Sequence, residues 1–342
     1  MNIGLDLGTD RFRSLRAIDG RLVARAVPSR CSMVDDTPAA RRLLERASLP
    51  YAVCQSDLIL LGEAALESAA LVGKPSIELL PGGNVPSNDP PARQVIAALI
   101  ESLLPAPTLS GTRPVCGLVL PHSGTADGAD FLTHLVELRG YVAEQIRAAD
   151  AVALATLSQE MLTGAVLTLG ANSAEFAVIH HGRRAAHILI DVGTADIDRA
   201  IAEADDLHIY DTAGVRFRDD ASVGRSRENL SGSLLNPGDA RAKQIEAAYT
   251  RWLDSIILQA TELTGKTVMA GVPGKLPLVC AGGPTQIRGF VPFLESRLRS
   301  ADLPFDVSEI RVADAAYTAA RGALAHAELT RAEAQRPTAK VA

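Results

Sequence analysis

The sequence is short of paired cysteines, of surplus positive charge and of long apolar runs, and each shortage removes a class of protein. Its four cysteines, Cys31, Cys54, Cys116 and Cys280, are scattered with no C-x-x-C pair. This argues against a disulfide framework or a thiolate zinc site and fits a reducing compartment, with the thiols expected as small buried hydrophobes. Lys and Arg number 34 against 40 Asp and Glu, for a net charge of −6. Because the two signs are interspersed, no basic field exists to grip phosphates along a polymer, and nucleic acid is not expected as a partner. No positively charged leader precedes an apolar segment, and no uncharged run is long enough to cross a bilayer. A cytoplasmic protein without direct membrane insertion is the expectation.

What is present suffices for two packed bodies. A chain of 342 residues with 47% hydrophobic content exceeds the usual single domain and can fill a core in each half. The opening MNIGLDLGTDRFRS alternates Ile3 and Leu5 into Asp6, and Gly8 permits a turn that a side chain would obstruct. It predicts a strand-turn-strand hairpin with a carboxylate at its bend. DDTPAARRLLERASLP reads as a short capped helix, with Pro38 near its first turn and Pro50 beyond its end. PVCGLVLPHSG is a continuous apolar run suited to a buried parallel strand, and ADFLTHLVELRGYVAEQIRAA after it reads as one helix.

The second half starts afresh at GAVLTLGANSAEFAVIHHGRRAAHILIDVG, repeating the plan of strand, Gly-containing bend, strand, turn, strand. A helix GTADIDRAIAEA follows, then an irregular stretch from Leu207 to Asp239, then a long helix from Ala240. DAAYTAARGALAHAELTRAEA reads as a terminal helix and QRPTAKVA as a frayed tail. Several other features have ordinary explanations. HHGRR at 180–184 is a solvated turn; TGKT at 264–267 ends a helix and has Ala260 where a Walker loop needs glycine. His122 and Ser123 sit at a strand end without a nucleophile elbow, and Tyr249 and Trp252 share a helix face with Leu253 and Ile256, as core or subunit-contact residues do.

Three Gly-containing bends each close an apolar strand: DLGTD at 6–10, TLGANS at 168–173 and CAGGPT at 280–285. Successive backbone N–H groups in such turns form concave anion sites, and small residues let a ligand approach the chain. In that order they resemble the two phosphate loops and the adenosine loop of the actin, heat-shock chaperone and sugar kinase superfamily, over Asn2 to about Ala325. Within it the closer likeness is to bacterial actin of the MreB type. The stretches that carry it are IGLDLGT with a short hairpin before PS, LLGEAALE, GTADIDRAI, and CAGGPTQIRGFVPFLESRL followed by AARGAL.

The resemblance implies an α/β, two-lobed actin-like ATPase fold, with duplicated ribonuclease H-like domains around a nucleotide cleft. It places the first lobe at 1–160, completed by a C-terminal helix at 312–330, the second at 161–311 and a tail at 331–342. It implies ATP and Mg²⁺ as ligands: Asp6 would hold the water shell of the metal, with Gly8, Thr9 and Asp10 facing the terminal phosphates. Gly170, Asn172 and Ser173 would flank the phosphates from the other side, Gly282, Gly283 and Pro284 would lie along the adenosine, and Gly193 and Asp196 would approach the ribose.

The departures from the family pattern carry their own implication. Its second phosphate loop begins with aspartate and continues Gly-Gly-Gly-Thr, whereas this chain has Thr168, then Gly170, Ala171, Asn172, Ser173 and Ala174. Where the family has Gly-Gly-Asp, Thr194, Ala195 and Asp196 stand here. A water-orienting acid, expected in a segment like Glu-Pro-Met-Ala-Ala, falls in AVALATLSQEM, where the candidates are Gln159 and Glu160. Slow or absent hydrolysis is therefore expected.

By resemblance the function is lobe closure on ATP that governs self-association into filaments or oligomers. The alternatives are a DnaK-like chaperone or adaptor contacting a partner protein through 207–239, and a small-molecule kinase of the same fold, for which no base can be placed. DnaK-type chains carry a peptide-binding domain after the nucleotide-binding part, whereas this one ends. The amphipathic anchor of many MreB-type proteins has no room ahead of Ile3, so attachment to a membrane through that end is not expected.

Overall fold

The computed structural model describes residues 1–54, 56–66, 76–107, 112–122, 124–210, 214–266, 269, 271–314 and 316–335. The opening alternation becomes β1 (Ile3–Leu7), which turns into β2 (Arg11–Ile18) and β3 (Arg21–Pro28). Ile3, Leu5 and Leu7 are each fully buried, worth roughly 1.5–3 kcal/mol apiece relative to exposure. A smaller sheet follows, built from β4 (Arg30–Asp35), β5 (Tyr51–Cys54), β6 (Asp57–Leu61) and β7 (Ile77–Glu78) in the order β5-β6-β4-β7. Between β4 and β5 lies α1 (Pro38–Arg46), whose N-cap Thr37 accepts from the Ala40 amide.

After α2 (Pro90–Leu103) come β8 (Val115–Val119), α3 (Ala126–Leu138), β9 (Val142–Gln145) and α4 (Ala148–Thr156). The first large sheet has the order β3-β2-β1-β8-β9, with β1, β8 and β9 parallel. The single helix expected over ADFLTHLVELRGYVAEQIRAA is thus two helices with a strand between them. Gly140 breaks the run at φ +91°, a left-handed position that ends α3, and Val142–Gln145 then pair along the edge of β8.

The second half repeats this plan with β10 (Gly164–Leu169), β11 (Ala174–His180) and β12 (Arg183–Ile190), followed by α5 (Thr194–Ala204). The stretch 207–239, expected to be irregular, instead holds a two-stranded ribbon of β13 (His208–Tyr210) and β14 (Arg216–Arg218), then α6 (Asp220–Glu228). α6 lacks an apolar stripe, burying only Val223, and is held by the Asp219 cap and by Arg227. Next come α7 (Ala240–Lys266), β15 (Lys275–Ala281), α8 (Phe290–Leu298), β16 (Asp306–Val312) and α9 (Thr318–Ala334).

The second sheet has the order β12-β11-β10-β15-β16, matching the first strand for strand. The terminal helix begins at Thr318 and not at 312, because Val312 still pairs with Cys280. It packs on the first sheet through Leu15, Ala320 and Leu324, and its Ala323 meets Val119 at the end of β8 and Ala151 on α4. Tyr249 and Trp252 lie in the second core, where the indole donates to the Val192 carbonyl at 3.1 Å. Cys31, Cys116 and Cys280 are buried as expected, while Cys54 is half-buried on β5. Residues 331–334, expected to belong to the tail at 331–342, instead continue the terminal helix, while Ser123, Thr267 and 336–342 lie outside the described residues. Among the described residues no helix is long and apolar enough to cross a membrane.

Candidate functional site

β1, β10 and β15 all run out at their carboxyl ends into Gly-containing bends, the place where open α/β sheets bind ligands. The bends face one another across a cleft of about 310 Å³, lined by Asp6, Gly8, Thr9 and Asp10 on one side, Thr168, Gly170, Asn172 and Ser173 on another, and Gly282, Gly283 and Pro284 on a third. Each is fixed by its own hydrogen bonds. Ser29 donates its amide to the Asp10 carbonyl and its hydroxyl to the Thr9 carbonyl, which pins the first bend to the end of β3. The Gly170 amide closes the second on the Ser173 carbonyl at 2.8 Å, and the Ala195 amide ties the start of α5 to the Ala171 carbonyl at 2.8 Å. Gly282 has φ +109°, and a Cβ there would lie 1.9 Å from the Leu169 carbonyl oxygen, so the third bend rests directly on the strand leading into the second.

Gly193 and Asp196 stand apart from this group. Asp196 is turned back to accept from the Gly193 amide at 3.0 Å and from Arg199 at 2.9 Å, capping α5; its neighbours Thr194 and Ala195 line the cleft instead. Gln159 and Glu160 follow α4 outside the cleft, and Glu160 binds Arg311 at 2.7 Å.

The carboxylates in the cleft have arginine neighbours that sequence reading did not identify. Asp6 lies opposite Arg13 in the β1–β2 register, with 3.7 Å between carboxylate and guanidinium. Burial raises the Asp6 pKa, and Arg13 and His122 offset only part of that rise. Arg227 grips Asp198 through two nitrogens at 2.9 and 3.0 Å, Arg30 meets Glu78 at 2.9 Å, and Arg11 lies 3.9 Å from the exposed Asp10. Glu228 is exposed at the rim.

A magnesium ion needs oxygen ligands in near-octahedral array, usually one or two carboxylates with waters and phosphate. Asp6 already has a guanidinium against it and Thr168 offers no charge, so these residues do not fit that ion. Among the described residues, no group of three or more His, Cys, Asp or Glu is arranged to hold a metal.

Beside the cleft, Glu175 on β11 is 1% exposed and in contact with three groups. His187 Nε2 lies 2.7 Å from one carboxylate oxygen, His122 Nε2 lies 2.7 Å from the other, and the Ala149 amide donates at 3.0 Å. Burial opposes the charge, yet the histidines and the amide hold the Glu175 pKa down to about 2. The signal available in the sequence was one acid inside the apolar strand AEFAVIH.

The sequence model of the Volactin family matches residues 1–327. The chain belongs to the Volactin family. No curated protein sequence matches this Volactin-family chain. Among solved structures it is similar to MreB5 of Spiroplasma citri bound to AMPPNP, at 16% identity over 98% of each chain with a TM-score of 0.68. It is also similar to a MamK double helical filament, at 15% identity over 96% of this chain and 98% of that one, TM-score 0.63. Apo psk41 ParM matches at 12% identity over 98% and 99%, TM-score 0.56. At these identities the likeness shows the fold: two-lobed and actin-like, as the sequence implied.

Proposed function

We propose that this chain is a cytoplasmic nucleotide-binding protein of the actin-like kind, whose lobes close on ATP and thereby control self-assembly. The observation that carries this reading is the meeting of Gly8, Gly170 and Gly283 in one cleft. Support also comes from similar structures: MreB5 bound to AMPPNP or ADP, and a MamK double helical filament. In this reading the lobes are 1–160 and 161–311, with the terminal helix completing the first. Terminal phosphates lie between Gly8–Asp10 and Gly170–Ser173, and the adenosine lies beside Gly282–Pro284.

Hydrolysis is slow or absent, because phosphoryl transfer rests on positioning and charge compensation. Thr168 supplies no metal-directed charge, and Gln159 and Glu160 lie outside the cleft. Sedimentation and negative-stain microscopy with ATP, with ADP and without nucleotide test the assembly step, and phosphate release tests turnover. Nucleotide-dependent polymers with little release are expected; monomers at high concentration under every condition contradict the reading.

A further inference from the structure

We infer that the cleft holds the polyphosphate of its nucleotide with arginine in place of a divalent cation, Arg13 supplying the positive charge beneath the first bend. The inference rests on the nucleotide-binding reading above and concerns how the charge of the ligand is met.

Arg13 is a built feature. The register of the hairpin sets it across from Asp6, and its guanidinium is fixed between the Asp6 carboxylate at 3.7 Å and the Arg11 carbonyl at 3.3 Å. Both side chains are largely withdrawn from solvent, at 19% and 15% exposure, so their mutual attraction is weakly screened. The Arg13 Nη1 lies 3.6 Å from where a Cβ on Gly8 would sit, which puts the guanidinium directly under the turn that faces the cleft.

A guanidinium carries five N–H donors in a planar fork, enough to hold a carboxylate with some and a phosphate with others. A dication placed on Asp6 would instead sit against this fixed positive charge, in a site where burial strengthens repulsion. On the opposite wall Thr168 is neutral and Asp198 is held by Arg227, which leaves Glu228 at the rim, away from Asp6, as the remaining carboxylate there. Arg30, paired with Glu78, and Arg227 also line the cleft, so the cations facing the ligand are side chains of this chain.

Calorimetric titration of ATP into the full chain, once in excess EDTA and once in millimolar Mg²⁺, tests the inference. The two dissociation constants should agree to less than tenfold. Arg13→Gln should weaken ATP tenfold or more in EDTA, with Arg13→Lys recovering part of the loss, thermal melts confirming that each variant is folded. Asp6→Asn separates the roles further: a metal ligand would matter in Mg²⁺ alone, whereas an anchor for Arg13 matters equally in both buffers. Affinity that rises tenfold or more with Mg²⁺ overturns the inference and leaves nucleotide binding standing. No ATP binding in either buffer overturns both. Should Arg13→Gln fail to fold, the comparison of buffers on the unaltered chain still decides.

Discussion

His122 and Glu175 meet at 2.7 Å across the boundary between the two sheets: the histidine follows β8 of the first, and the carboxylate stands on β11 of the second. With His187 on the neighbouring strand, they form a polar bridge beside the cleft. A buried carboxylate of this kind makes stability depend on pH.

The sign follows from the depressed pKa of Glu175, about 2 against an ordinary 4.5. Its contribution, about 3 kcal/mol by linkage, is fully present above 4.5 and is lost as pH falls toward 2. Urea unfolding of the wild type should weaken steeply across that window. Glu175→Gln should be less stable at pH 7 and show a flatter acid limb; an unchanged limb would remove Glu175 from this role.

Asp198 and Arg227 form the second buried pair, with side chains 9% and 13% exposed. Removing one partner strands the other, which typically costs about 3–5 kcal/mol. Asp198→Ala should therefore destabilise strongly in chemical denaturation, and the double substitution Asp198→Leu with Arg227→Met should recover much of the loss. Equal losses in the single and double variants would show that the pair is not coupled.

Trp252 is the only tryptophan and is 4% exposed, edge-on to Tyr249 at 5.6 Å. Its fluorescence should be blue-shifted in the native protein and move red on unfolding. Trp252→Ala should cost about 3–5 kcal/mol through the cavity it leaves. Native emission at the wavelength of an exposed indole would contradict its place in the core.

Gly282 bears the third bend against Leu169, and Gly282→Ala combines a strained φ with overlap on a backbone oxygen. The bend must move to accept the methyl, so ATP affinity should fall tenfold or more in a protein that still folds. Undiminished affinity would show that this bend does not touch the ligand.

Both large sheets were legible because period-two alternation ends in glycine at the same place in each half: Ile3, Leu5 and Leu7 before Gly8, and the apolar run through Leu169 before Gly170. The edge strand β9 was not, since Leu132 and Val136 set a helical spacing that the apolar Tyr141 and Val142 continue in the sequence, and Gly140 alone marks the break. α6 was hidden because it has no apolar face of its own; what holds it is Asp198, on a different helix. The three bends could be found by their glycines, whereas the Asp6–Arg13, Glu78–Arg30 and Asp198–Arg227 pairs depend on strand register and tertiary packing that no local pattern encodes.

The most direct measurement is a crystal structure of the chain grown with saturating AMPPNP. The phosphates should lie between Gly8–Asp10 and Gly170–Ser173, with the adenosine beside Gly282–Pro284. Nucleotide bound elsewhere, or a cleft left empty at saturation, would contradict a shared polyphosphate site between the lobes.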